Sequence, residues 1–217
     1  MSSILFIDTS ASPYDVIITR AEQVVFNSRD HQTMSEVRDL PIIVNYAFRQ
    51  IDITPADLTL IAVNVGPGGL SSIRSGVSFA NALSFSLKIP VAPFSSFEMM
   101  GHELTAETDL PVLGTTRGAG KNVYACLFTA DQPTVMCYGI FAEVVQELTA
   151  DLDSFAVIGT HRAEIQALGL TQQIWDSERT KGTLPAMLAQ TDLLNSRQRT
   201  YPQIAHPINE QTLETAL

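Results

Sequence analysis

NVGPGGLSSIRSG, residues 64–76, decides how the first half of this chain is read. The apolar run Leu58-Thr-Leu-Ile-Ala-Val63 leads into it, and a long segment of small and apolar residues, Ser71 to Leu87, follows. A strand, a glycine-rich turn and a helix are the natural reading. Such a turn holds phosphate when the helix N-terminus turns its N–H groups toward an anion. Gly66, Gly68 and Gly69 would then admit a ligand to the backbone, with Arg74 in the first helical turn. The Walker A pattern requires Lys-Ser/Thr after the last glycine, and none follows. Gly66, Gly68 and Gly76 also miss the G-x-G-x-x-G spacing. Two readings stay open: a phosphate loop, or a structural turn that lets strand and helix pack closely.

Working outward, Ile4-Leu-Phe-Ile7 reads as a buried strand. Tyr14 to Thr19 and Gln23 to Phe26 read as two further strands, giving an antiparallel meander at a sheet edge. Val37, Leu40, Val44, Ala47, Phe48 and Ile51 recur at helical spacing over Met34 to Ile51. Pro41 either kinks that helix or marks its late start. Thr54-Pro-Ala-Asp57 predicts one short turn before the strand Leu58 to Val65. Ser71 is the expected cap of the helix Ser72 to Leu87. Pro90 to Phe94 gives a short strand, and Ser95-Ser-Phe-Glu98 opens a helix with a capping box.

The polar stretch His102 to Asp109 separates two halves, residues 1–106 and 107–217. The second half begins with the strand Pro111 to Thr115 and a hairpin, Val123 to Thr129 with Thr134 to Tyr138, whose symmetric register places Cys126 opposite Cys137. A helix at Phe141 to Leu148, a strand at Phe155 to Ile158, and helices at Ala163 to Leu168 and Leu184 to Leu194 follow. The fold class is therefore α/β, two lobes with mixed sheets flanked by helices.

Composition narrows the function. With 217 residues the chain buries roughly 70% of its unfolded surface and needs no staples. Thirteen Lys and Arg against 23 Asp and Glu give a net charge of −10. Phosphate neutralisation supplies most nucleic-acid affinity, so this chain is not expected to be a principal RNA or DNA contact. Its two cysteines exclude a disulfide scaffold and a cysteine-based zinc site. No apolar run approaches the roughly 20 residues of a membrane span. The opening Met-Ser-Ser-Ile-Leu-Phe-Ile-Asp lacks the basic region of a signal peptide. The expectation is a cytoplasmic protein without a membrane segment.

Few residues announce chemistry. Asp8-Thr9-Ser10 ends the first strand and would suit a magnesium-bound nucleotide, with hydroxyls on phosphate; the alternative is an Asx-turn. His31, His102, His161 and His206 show no metal-ligand spacing, and no G-x-S-x-G elbow occurs. No catalytic residue emerges. The helix Ser72 to Leu87 is more telling, because charge is missing between Arg74 and Lys88. Ile73, Val77, Ala80, Leu83 or Ser84, and Leu87 line one face; Phe79, Ala82, and Phe85 or Ser86 line another. A helix at a free surface carries a charged stripe. This one is either buried within its own lobe or covered on its second face by another protein.

Together these residues resemble the bacterial TsaB family, also called YeaZ, of tRNA threonylcarbamoyladenosine biosynthesis. Ile4-Leu-Phe-Ile-Asp-Thr-Ser10 is similar to its opening strand and I-D-T-S. Gly66-Pro-Gly-Gly-Leu-Ser-Ser-Ile-Arg-Ser-Gly76 aligns without gaps with its G-P-G-S-F-T-G-L-R-I-G stretch, agreeing at Gly66, Pro67, Gly68, Arg74 and Gly76. Leu40-Pro41 and Ile89-Pro90 match further family positions. Ser72 replaces a glycine, Ser75 replaces an apolar residue, and the family's D-A-R before the V-Y strand is absent from Thr115 to Tyr124. The resemblance covers about the first hundred residues. It implies an actin-like, sugar-kinase-like fold of two related lobes. It implies a non-catalytic partner of a TsaD-like catalytic subunit, joined by a TsaE-like ATPase, in making the threonylcarbamoyl modification at adenosine 37 of tRNA. ATP and metal would sit on the partner subunit, tRNA would be met only indirectly, and the chain alone would form a homodimer. The partner surface implied is the helix pair of the first lobe: Val37, Val44, Arg74, Val77, Ala80, Asn81 and Ser84. The rival is a nucleotide-dependent kinase or transferase using Asp8, Thr9, Ser10, Gly66, Gly68 and Gly69; a metallopeptidase is a third reading.

Overall fold

The computed structural model describes residues 2–34, 36–129, 132–183, 201–210 and 212, with the backbone alone at 132–134. They form two compact units: 2–94 with 201–207, and 95–183 with 208–210. The division expected at 106/107 thus falls at 94/95, because the helix opened by Ser95 packs in the second unit, and residues 201–207 return to the first.

The first unit is a five-stranded sheet in the order β3-β2-β1-β4-β5, formed by β1 (Ser3–Asp8), β2 (Asp15–Arg20), β3 (Gln23–Asn27), β4 (Leu60–Asn64) and β5 (Val91–Phe94). β1, β2 and β3 make the expected antiparallel meander, while β4 and β5 run parallel to β1. β1 and β4 are buried almost throughout, as strands covered on both faces must be. Helix α1 (Leu40–Gln50) starts late: the Asp39 carboxylate accepts the Ile42 N–H at 3.2 Å and Pro41 lies in the first turn, where its missing N–H costs nothing. Residues 32–34 form only a 3-10 turn. Helix α2 (Leu70–Leu87) is capped by Gly69, so Ser71 lies inside the first turn and does not cap it.

The second unit repeats this plan. Helix α3 (Ser96–Thr105) carries the capping box of Ser95 and Glu98. A second sheet runs β10-β9-β6-β7-β8, from β6 (Val112–Arg117), β7 (Asn122–Thr129), β8 (Gln132–Ile140), β9 (Ser154–Gly159) and β10 (Gln173–Asp176). Here too three consecutive strands pair antiparallel, and two parallel strands follow on the other side of the first. Helices α4 (Phe141–Thr149) and α5 (Arg162–Ala167) make the crossovers. β10 had no clear signal, being a short half-exposed edge strand. The helix expected over Leu184 to Leu194 lies outside the described residues.

The hairpin β7–β8 forms as expected, but one residue out of register: Cys126 faces Met136, and Cys137 faces Ala125. An irregularity between Leu127 and Thr129 takes up the extra residue. A one-residue slip moves a side chain to the other face, so the two thiols lie on opposite sides of the sheet. Cys137 packs against the core cluster that contains Val123, Ala125 and Val145, and burial pushes the Cys126 thiol well above its ordinary pKa.

α2 packs on β4, β1 and β5 through Ile73, Gly76, Val77, Ala80 and Ser84. The two sides of this helix predict opposite outcomes for one substitution. Ala80→Glu, at a position with no exposure, should lower unfolding free energy by about 3 kcal/mol or more. Ala82→Glu, on the exposed side, should change it by less than about 0.5 kcal/mol. Urea unfolding of both variants checks this.

Candidate functional site

The two motifs nominated from sequence meet. Asp8, at the end of β1, is fully buried, and its Oδ1 accepts the Ser10 N–H at 2.8 Å, an Asx-turn. The same oxygen accepts Asn64 Nδ2 at 2.9 Å. Asn64 Oδ1 in turn accepts the Gly66 N–H at 2.8 Å. One carboxylate therefore joins the end of β1 to the start of the glycine turn through Asn64. Sequence reasoning missed Asn64, although an amide closing a buried strand needs partners of this kind.

The neighbouring residues complete the junction. The Thr9 hydroxyl donates to the Ser72 carbonyl at 2.7 Å, inside the first turns of α2. The Gly69 N–H donates to the Ser10 carbonyl at 3.1 Å. A Cβ at Gly68 would lie 2.9 Å from that carbonyl oxygen, closer than such atoms approach. A Cβ at Gly76 would run into the Thr9 hydroxyl. Gly69 has ordinary space around it. Two of these glycines thus admit protein backbone and a threonine side chain, and a helix-terminal N–H that would face an anion is turned to Ser10.

The structure divides the nominated partner residues. Val44, Val77, Ala80 and Ser84 are buried inside their own unit and present no surface. The helical period turns them to the sheet, and Ser84 Oγ donates to the Ile89 carbonyl at 2.6 Å. Val37 is half-buried and Arg74 exposed. Asn81, half-buried at the border of the buried face, binds Ala205 through both atoms of its amide. The outward side of α2 consists of Ser71, Arg74, Ser75, Ser78, Ala82, Phe85 and Ser86, with Phe85 at 74% exposure. This is the second of the faces read from sequence, and Arg74 is the one charge within α2.

His31 stacks on Phe26 with ring centroids 4.9 Å apart, and its Nδ1 lies 3.2 Å from the Tyr46 hydroxyl. These contacts tie the residues after β3 to α1.

Residues 28–153 match the family model of TsaD, tRNA N6-adenosine threonylcarbamoyltransferase. The chain belongs to this family. It is TsaB-like within it: the tRNA threonylcarbamoyladenosine biosynthesis protein TsaB of Bacillus subtilis is 34% identical over 103 residues, which cover 45% of this chain and 43% of that protein. The TsaB of Buchnera aphidicola is 30% identical over 100 residues, 46% of this chain and 47% of its own. The chain spans slightly less than half the length of these curated relatives. Among solved structures, YeaZ from Pseudomonas aeruginosa superposes with a TM-score of 0.74 at 17% identity, covering 96% of this chain and 100% of that one. A Bacteroides thetaiotaomicron protein with an actin-like ATPase fold gives a TM-score of 0.50 at 8% identity, over 87% of this chain and 96% of its own. The fold is therefore actin-like, and the resemblance seen in the two motifs is borne out. No helix among the described residues is long and apolar enough to cross a membrane.

The packing of Thr9 against Gly76 gives a test of sign. Alanine normally favours a helix interior over glycine by roughly 1 kcal/mol. Here Gly76→Ala should instead destabilise by about 1–3 kcal/mol, and by less in a Thr9→Ala background. A double-mutant cycle in urea measures the coupling.

Proposed function

We propose that this chain is a non-catalytic partner subunit of the assembly that makes N6-threonylcarbamoyladenosine at position 37 of tRNA. Its partner is a TsaD-like catalytic subunit, and a TsaE-like ATPase joins them in the cytoplasm. ATP and metal are held by the partner, tRNA is gripped mainly by other subunits, and the chain pairs with itself when alone. The observation that carries this reading is the outward side of α2. It is nearly free of charge on a chain of net −10, and it displays a phenylalanine to solvent. A surface poor in charge that presents an aromatic side chain has the composition of a protein-contact core. The family match and the TsaB-like first hundred residues supply the pathway.

The junction of Asp8, Thr9, Ser10 and the glycine turn supports a structural role for the loop. Asp8 Oδ1, the Thr9 hydroxyl, the Ser10 carbonyl and the Gly66 and Gly69 N–H groups bond to protein partners, and the close approaches at Gly68 and Gly76 are to protein. The rival kinase or transferase needs those same groups around a phosphate.

Calorimetric titration with ATP and magnesium separates the two readings. The expected result is no saturable binding tighter than about 10 μM, roughly 7 kcal/mol. Tighter binding that disappears in Asp8→Ala would favour the enzyme. In parallel, co-purification from the native host should recover a TsaD-like protein with the unaltered chain. The yield should fall at least tenfold with Ala82→Glu, and an undiminished yield would remove α2 as the contact.

A further inference from the structure

The second unit holds a cavity of about 470 Å³, within the range that takes small molecules. One wall is a face of α4 and its C-cap, where Ala142, Gln146, Thr149 and Ala150 recur at helical spacing. The other is the link from α5 to β10, Leu168 to Gln172. Gln172 narrows what fits. Its Nε2 donates to the Thr149 carbonyl at 2.9 Å, which holds the amide against the end of α4. Its Oε1 is buried and has no hydrogen-bond partner among the described residues. Buried acceptors are almost always satisfied, so this oxygen suits a ligand that donates.

The surrounding charge selects the kind of donor. Two helices end beside the cavity, and helix C-termini favour cations. Neither α4 nor α5 has a basic residue in its last turn. From Phe141 to Gln172 the chain carries Glu143, Glu147, Asp151, Asp153 and Glu164 against one arginine. That arginine, Arg162, is paired with Asp176 at 2.6 Å. Leu168 and Leu170, both half-buried, give the cavity an apolar wall. We infer that this cavity binds a primary ammonium on a short alkyl chain, with the –NH3+ donating to Gln172 Oε1 at the carbonyl end of α4 and the methylenes on Leu168 and Leu170. A free alkylamine and the lysine side chain of another protein present the same group. The site does not depend on the function proposed above.

Nuclear magnetic resonance titration of the full chain with pentylammonium tests this, with Nα-acetyl-lysine methylamide and 1-pentanol in parallel. Both amines should give saturable shifts confined to the backbone amides of Gln146 to Ala150 and Leu168 to Gln172 and to the Gln172 side chain. Pentanol at the same concentration should give less than about a tenth of the shift. Gln146→Lys, at an exposed position of the wall, should weaken binding at least fivefold. The same substitution at Gln50, exposed on α1 of the first unit, should leave it unchanged. Gln172→Met removes the acceptor and should also weaken binding at least fivefold; Gln146→Lys keeps the test open if that variant fails to fold. Tighter binding of the capped lysine than of pentylammonium would support the site with a protein lysine as its source, and equal or weaker binding would support it with a free amine. An equal response to pentanol, shifts centred elsewhere, no saturable shift, or indifference to Gln146→Lys would overturn it.

Discussion

The first unit depends on how closely the end of β1 approaches the start of α2. Thr9 reaches the Ser72 carbonyl, and Ser10 takes the Gly69 N–H. Asp8 is tied through Asn64 to the turn before the helix. Any side chain at Gly68 or Gly76 would hold the elements apart. Because interiors are close-packed and transmit strain, the position of this junction also fixes the direction of α2 across β4 and β1. That direction decides which residues enter the core and which remain outside.

α2 consequently has two unlike sides. Ile73, Val77, Ala80 and Ser84 complete the sheet's core, and small residues there permit the close approach. The opposite side keeps small polar residues and Phe85 in solvent. Asn81 sits between them, and its amide holds the returning chain at Ala205. Core packing, loop packing and the candidate contact surface thus share one helix.

The second unit has the same strand plan with different ties. Arg179 bridges Glu103 and Glu107 of α3 at 3.2 and 2.9 Å, and Gly182 packs against Met99. The Thr183 N–H also donates to Glu103. The Tyr124 hydroxyl donates to Glu210 at 3.2 Å, and burial together with that carboxylate pushes its pKa up to about 12. Such ties join residues far apart in the chain, and no local pattern announces them. The same holds for the sheet register at Cys126 and Cys137, where an irregularity shifts the hairpin by one residue.

What the sequence determined by itself was local. Strand and helix periods, the capping box of Ser95 and Glu98, the late start at Pro41, and the motifs around Asp8 and Gly66 sufficed for two α/β lobes and for the family. Propensity, capping and spacing act within a few residues and can be read in order. The tertiary structure decided what those motifs touch. It turned Val44, Val77, Ala80 and Ser84 inward, assigned Gly68 and Gly76 to Ser10 and Thr9, brought Asn64 to Asp8, and laid Ala205 on Asn81. Each of these depends on contacts between segments distant in the chain, so a helical face or a glycine turn gains its role only when its neighbour in space is known.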